Sequence, residues 1–344
     1  MSLATNGIGR PCRPRPTSAV KATHGARRHA FKKASQKASH MRLLSALPRH
    51  GPALAALAWV LTIAPTAPAQ AGEVLERIRS SGRIVLAHRE ASTPLSYVDA
   101  QGRPMGYAVD LCLRLADAVQ RHLGLKALKV EMRPVSSSTR IEAITSGQAD
   151  LECDSTTNNA ERRKLVDFTV PHFITGPRFL VRADSSIADF HSLSGKVLVS
   201  TKGTTALALA RAANDKHGYG MRITEVPDHE AGVRLVAGGQ ADAFLMDEVL
   251  LFGLMAAQPD PSRLKVGGKY IGIEPLAIML SRGDAEFKGV VDAEMKRLIR
   301  SREAHALYER WFQKPIPPKN LSLDQPMNHL LKAFWKHPSA VVPD

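Results

Sequence analysis

The chain has 344 residues, long enough for two domains, with 44% hydrophobic and only 5% aromatic residues, as in soluble α/β folds. Its net charge of +15 comes mostly from the leader: residues 1–71 hold 11 Lys/Arg and no Asp/Glu, leaving 36 basic against 32 acidic residues, a net of +4, in 72–344. A body this mildly basic has no electrostatic footprint for nucleic acid, so no nucleic-acid partner is expected.

The basic run leads into PALAALAWVLTI at 52–63. That run is too short to span a bilayer but suits the core of a cleaved signal peptide. Ala67-Pro68-Ala69 and Ala69-Gln70-Ala71 are small-x-small cleavage sites. Met41, with Arg42 and Arg49 behind it, would start a conventional signal peptide unaided, so the true start codon stays open. Arg27-Arg28 with Phe31-Lys32 faintly resembles a twin-arginine signal, but the apolar core lies too far away. No cysteine occupies a lipoprotein-type cleavage position, so no lipid anchor is expected. Export predicts a periplasmic, oxidising location. Cys112 and Cys153 remain after cleavage. Buried free thiols are the expectation for them, with pairing as the alternative. No His/Cys group has zinc spacing, and neither metal nor cofactor is expected.

In the body, Val74–Ser80 reads as a short helix ended near Gly82, and Ile84–Ala87 as a buried strand delivering His88, Arg89 and Glu90. Pro94–Gly106 contains a hairpin-like segment. Tyr107–Leu123 is a helix, apolar at Val109, Leu111, Leu113, Leu115, Ala116 and Val119. Leu128–Pro134 is a strand, and Ser136–Thr139 caps a helix from Arg140 to Thr145. Gly147-Gln148-Ala149-Asp150 then turns into the short strand Leu151-Glu152-Cys153. It runs on into the polar segment Ser155–Asn159, closed by Glu161-Arg162. Phe179–Val181 looks like a strand crossing out of the first half. Lys196–Ser200 is a strand, and Thr201–Thr205 opens the helix Ala206–Ala213. Arg222–Val226 is a strand and His229–Gly238 a helix. Gly239-Gln240-Ala241-Asp242 repeats the earlier turn, and Ala243–Met246 leads to Asp247. Leu276–Leu280 reads as one return strand, Phe287–Phe312 as helices, and Pro315–Asp344 as a packed strap.

Strands alternating with helices imply a mostly parallel sheet, and a repeated turn-plus-strand suggests two similar α/β lobes facing one cleft. Ligands in such sheets sit beyond the carboxyl ends of strands. The competing reading is two ordinary strand ends with solvated loops. Thr201–Thr205 places hydroxyls and a glycine at a helix start, which suits an anion or simple capping. Arg162 could grip a carboxylate bidentately, or lie on the surface. Asp247 could hold an ammonium group, or be a turn residue. Arg89 and Arg140 could serve a second carboxylate. Taken together, these residues describe a site for an amino acid with an acidic side chain.

The segments SGRIVLAHRE (81–90), GYAVDL (106–111), SSSTRI (136–141), ADLECDSTTNNAER (149–162), TKGTT (201–205), PDHE (227–230), ADAFLMDE (241–248) and ERWFQKPIPPKNL (309–321) resemble the extracytoplasmic solute-binding proteins of family 3. Within them, the chain looks most like the glutamate/aspartate-binding proteins of ABC importers, from about Val74 to Leu330. The resemblance implies a two-lobe, type II periplasmic-binding-protein (Venus-flytrap) α/β fold with two hinge-crossing strands. Lobe one would comprise 72–180 and 279–344, and lobe two 181–278. It implies no enzyme activity, a monomer, and delivery of L-glutamate or L-aspartate to a membrane permease. It gives Arg162, Thr157 and Thr205 to the α-carboxylate. Ser155, Thr157 and Asp247 go to the α-ammonium. Arg89, Ser137, Arg140 and His229 go to the side-chain carboxylate, so neutral isosteres should be rejected. Two departures stand out. Asp154 replaces a usual glycine, where it would either meet solvent or weaken binding of an acidic ligand. Leu276-Ala277-Ile278 replaces a Tyr-Gly-Cys-like run, which removes one potential partner for Cys153. The rival reading is an exported dehydratase resembling cyclohexadienyl dehydratases, with Asp154, Glu152, His229 or Glu248 as general acid. Glutamate and aspartate differ by one methylene, and the sequence does not rank them.

Overall fold

Two five-stranded sheets of the same design carry residues 72–342, the part of the chain described by the computed structural model. The leader, signal peptide and alternative start expected within 1–71 lie outside the described residues. No helix among the described residues is long and apolar enough to cross a membrane.

In the first sheet the order is Lys129–Pro134, Arg83–His88, Leu151–Glu152, Met279–Ser281 and Val166–Phe168. The first three strands run parallel, and Met279–Ser281 is antiparallel to both of its neighbours. The second sheet repeats this plan with Arg222–Val226, Val197–Thr201, Ala243–Asp247, Pro177–Arg182 and Leu264–Gly267. Again three strands are parallel, and the strand Pro177–Arg182 is antiparallel to both neighbours. The repeated GQAD turn does the same work in each sheet. Asp150 accepts from the Val85 N–H at 2.7 Å, and Asp242 from the Val197 N–H at 2.8 Å. Each aspartate thus pins the middle strand of its sheet to the early part of the parallel neighbour, Arg83–His88 or Val197–Thr201, and the strands that follow end at equivalent places.

Helices cover these sheets because their apolar residues recur every three to four positions. In Tyr107–Leu123 the buried set is Tyr107, Ala108, Val109, Leu111, Cys112, Leu115, Ala116, Ala118 and Val119. The helix ends at Gly124 in the left-handed conformation that favours glycine. A helix absent from the sequence reading spans Glu248–Ala256. Its run VLLFGLMA is apolar nearly all round, and periodicity cannot separate such a buried helix from a buried strand.

Two segments cross between the sheets, Phe173–Thr175 and Glu274–Leu276, paired antiparallel. The return strand expected at Leu276–Leu280 is in fact two strands, Glu274–Leu276 and Met279–Ser281. They separate because the chain changes partners between them. The Ala277 N–H donates to the Thr156 carbonyl at 3.0 Å, and the Ile278 carbonyl accepts from the Thr169 N–H at 2.9 Å. The C-terminal segment packs as a strap. Tyr97 Oη donates to the Pro317 carbonyl at 2.6 Å, and Trp335 Nε1 to the Pro171 carbonyl at 3.3 Å.

The expectation of free thiols is corrected. Cys112 and Cys153 form a disulfide across a sequence separation of 41 residues. The helix face carrying Cys112 packs on the sheet where the strand Leu151–Glu152 ends, which sets the two Cα atoms 6.0 Å apart. Sequence spacing carries no information on that distance. Closing a loop of this size removes unfolded-state entropy worth about 4 kcal/mol. Cys112→Ala/Cys153→Ala should therefore lower the unfolding free energy by about that amount in urea denaturation. An unchanged midpoint would show that the bond is not a stabilising cross-link.

Candidate functional site

The carboxyl ends of the two sheets face one another across a small cavity. Ser137, Arg140, Ser155 and Thr157 line it from the first sheet's loops. Thr204, Thr205, His229, Met246 and Asp247 line it from the second. Seven of the nine residues expected from the sequence therefore share this cavity. The other two stand behind it. Arg89 Nη1 donates to Asp154 Oδ2 at 3.2 Å, and Arg162 Nη1 to the Thr157 carbonyl at 3.0 Å.

Local structure explains each placement. Arg89 follows the strand Arg83–His88, and its own N–H is held by Ser96 Oγ at 2.9 Å. Arg140 opens a helix beside Ser137. Asn159 caps the short helix Ala160–Arg163 by accepting from the Arg162 N–H at 2.9 Å, which sets the arginine's direction. Thr204 caps the helix Thr205–His217, leaving the Thr205 hydroxyl to face the cleft. Asp228 caps the next helix, whose first residue is His229. Asp247 ends its strand, as the paired GQAD turns require. The backbones of the two halves nearly touch here. A Cβ on Gly203, whose φ is +80°, would lie 2.7 Å from the Ser137 carbonyl oxygen, so only glycine fits.

Three guanidiniums and four carboxylates are buried around this cavity: Arg89, Arg140 and Arg162 with Glu152, Asp154, Asp247 and Glu274. For Arg89, Arg162, Glu152 and Asp247, desolvation is the largest cause of a shifted pKa. Burial lowers the Arg162 pKa to about 10, with Arg140 adding repulsion. Burial raises the Glu152 carboxyl to about 7, against the pull of Arg140. Asp247 lies well above the usual carboxylate range, through burial first and then repulsion by Glu274, which favours its protonated form. His229 is held well below its usual value by burial and then by Arg89 and Arg140, so it stays neutral. Its Nδ1 is 2.8 Å from Thr201 Oγ1. Several buried polar atoms at the cleft have no partner: Ser137 Oγ, Arg140 Nε, Asp154 Oδ1, His229 Nε2 and Asp247 Oδ1.

Two residues here escaped the sequence reading. Glu274 accepts from Thr157 Oγ1 and, at 2.8 Å, from Thr205 Oγ1, so it ties the two halves together. Its only sequence signal is a charge just ahead of an apolar strand. His172 supports the loop carrying Asp154 by donating from Nε2 to the Asp154 carbonyl at 3.1 Å. Asp154, which sequence reading placed either in solvent or at the ligand, is fully buried on Arg89 and Arg140.

Residues 84–314 match the family described as bacterial extracellular solute-binding proteins, family 3. The chain is 41% identical over 285 residues to the L-glutamate/L-aspartate-binding protein of Pseudomonas aeruginosa, an alignment covering 83% of this chain and 94% of that one. It is 37% identical over 292 residues to the glutamate/aspartate import solute-binding protein of Escherichia coli K12, covering 84% and 97%. Among solved structures it is similar to an ancestral amino-acid-binding protein described as a precursor of cyclohexadienyl dehydratase. The identity there is 26% and the TM-score 0.59, with 69% of this chain and 98% of that chain covered.

Burial holds His172 down to about 4, so the ring is neutral in the folded protein. A depressed histidine contributes stability that is present above its unfolded pKa of about 6.5 and lost as pH falls towards 4. His172→Gln keeps a donor for the Asp154 carbonyl but does not titrate. The stability difference between wild type and this variant should therefore shrink by about 3 kcal/mol between pH 7.5 and pH 4. Urea denaturation at the two pH values would show this, and a constant difference would refute it.

Proposed function

The chain belongs to family 3 of the bacterial extracellular solute-binding proteins, with their two-lobe α/β fold, and from that premise we propose that it captures an acidic L-amino acid for an ABC importer. The observation that carries this reading is the convergence of unpartnered buried polar groups from both sheets on one cavity. Buried polar groups normally have partners, and a zwitterion with a polar side chain would supply these. The dehydratase alternative is set aside, because the relatives matching most of the chain are binding proteins.

In this reading the lobes are 72–180 with 279–344, and 181–278. Arg162, Thr157 and Thr205 take the α-carboxylate. An arriving carboxylate competes with Glu274 for the two threonine hydroxyls. Asp247 gives up its proton and, with Ser155 and Thr157, receives the ammonium. Arg89, Ser137, Arg140 and His229 surround the side chain. Because groups from both lobes touch one small molecule, ligand favours the closed form, and only such differential contact can shift the equilibrium. The loaded protein is a periplasmic monomer, exported by a cleaved signal peptide, that docks on a membrane permease.

Calorimetric titration of residues 72–344, stripped of ligand by unfolding and refolding, tests the reading. L-glutamate or L-aspartate should bind with a micromolar Kd, about −8 kcal/mol, and a dicarboxylate lacking the amino group should not. Arg162→Ala should cost more than about 2 kcal/mol by leaving a buried carboxylate unpaired. Binding of the dicarboxylate alone would overturn the Asp247 role, and unchanged affinity in the arginine variant would overturn that of Arg162.

A further inference from the structure

Directly behind Arg140 and Ser155, which line the cavity, the protein holds a counter-charge of its own. Asp154 Oδ2 lies 3.2 Å from Arg89 Nη1, 3.4 Å from Arg140 Nη1 and 3.1 Å from Ser155 Oγ. Glu152 Oε1 stands 3.8 Å from Arg140 Nη1. All four charged groups are buried. Two guanidiniums thus meet two carboxylates before any ligand enters. What remains unsatisfied is mixed in character. Asp154 Oδ1 is a buried acceptor without a donor, while Ser137 Oγ and Arg140 Nε are donors without an acceptor.

We propose that Asp154 sets the side-chain specificity of this cleft and admits a primary carboxamide, so that L-glutamine or L-asparagine binds alongside the acidic amino acids. The inference rests on the amino-acid reading above and changes which side chains it covers. A carboxamide supplies both missing halves: its oxygen accepts from Arg140 or Ser137, and its NH2 donates to Asp154 Oδ1. An ionised carboxylate supplies only acceptors. It would leave Asp154 Oδ1 without a donor and bring a further negative charge up to guanidiniums that Asp154 already engages. The rejection of neutral isosteres expected from two unpaired arginines therefore does not apply, because these arginines are paired within the protein.

The experiment is titration of L-glutamate, L-aspartate, L-glutamine and L-asparagine into wild type, Asp154→Ala and Asp154→Asn, with circular dichroism as the folding control. In wild type, at least one amide should bind within about tenfold of its acid, the scale set by one satisfied buried hydrogen bond. In Asp154→Ala the ratio of acid to amide affinity should rise by at least about tenfold, as the lost acceptor and freed arginines both favour the acid. Asp154→Asn removes the charge while keeping the shape, and should shift the ratio the same way. It decides the matter if the alanine variant fails to fold. A wild type that binds an acid but rejects both amides by more than about a thousandfold would overturn the proposal, as would folded variants keeping the wild-type ratio. If no amino acid binds any of the three proteins, the amino-acid reading falls and this inference with it.

Discussion

Burying three guanidiniums between two sheets forces most of what is distinctive in this protein. Arg89, Arg140 and Arg162 cannot leave water without partners, and the strands and loops that bring them in also bring Glu152, Asp154, Asp247 and Glu274. The site is therefore a charge network first and a cavity second. Its pKa shifts share one origin. Desolvation comes first in each, and the surrounding charges add to it or oppose it. Burial raises Glu152 to about 7 against the pull of Arg140, while repulsion by Glu274 adds to the burial that raises Asp247.

The same network gives the cleft two unlike ends. At one end, hydroxyls from both halves meet on Glu274, a carboxylate carried by a crossing strand. The Thr157 and Thr205 hydroxyls that meet on this one carboxylate tie the two halves to each other. At the other end, Asp154 lies behind the cavity wall, bonded to Arg89 and to the lining residues Arg140 and Ser155. Similarity to glutamate/aspartate-binding proteins speaks for the first end. At the second, position 154 is where the chain departs from the family pattern, and its carboxylate is bonded to Arg89 and Arg140.

Much of the fold was legible because it rests on periodicity and on glycine and capping residues. Tyr107–Leu123 runs between two glycines with a four-residue apolar repeat, and the twin GQAD turns announced two equivalent strands. The site residues were legible as polar groups at strand ends and helix starts, and the resemblance supplied their grouping. What stayed hidden depends on distance. Nothing in the spacing of Cys112 and Cys153 shows that a helix face brings them together. Leu276–Leu280 read as one strand because the pattern is apolar throughout, yet Ala277 and Ile278 bond to partners outside it. Glu274 is an isolated charge until the crossing strand places it between two threonines. Asp154 was visible as a charge, but its partners are 14 and 65 residues away in sequence.

The disulfide makes the two jaws of the cleft unequal in stiffness. Cys153 is the residue immediately before Asp154 and Ser155, and its bond to Cys112 fastens that wall to the long helix behind it. Thr204, Thr205, His229 and Asp247 stand on the opposite jaw, which has no covalent tether among the described residues. The first jaw is an anvil whose shape is braced covalently from behind. The second is held by packing and hydrogen bonds, so the two walls of one cavity answer differently to the same load.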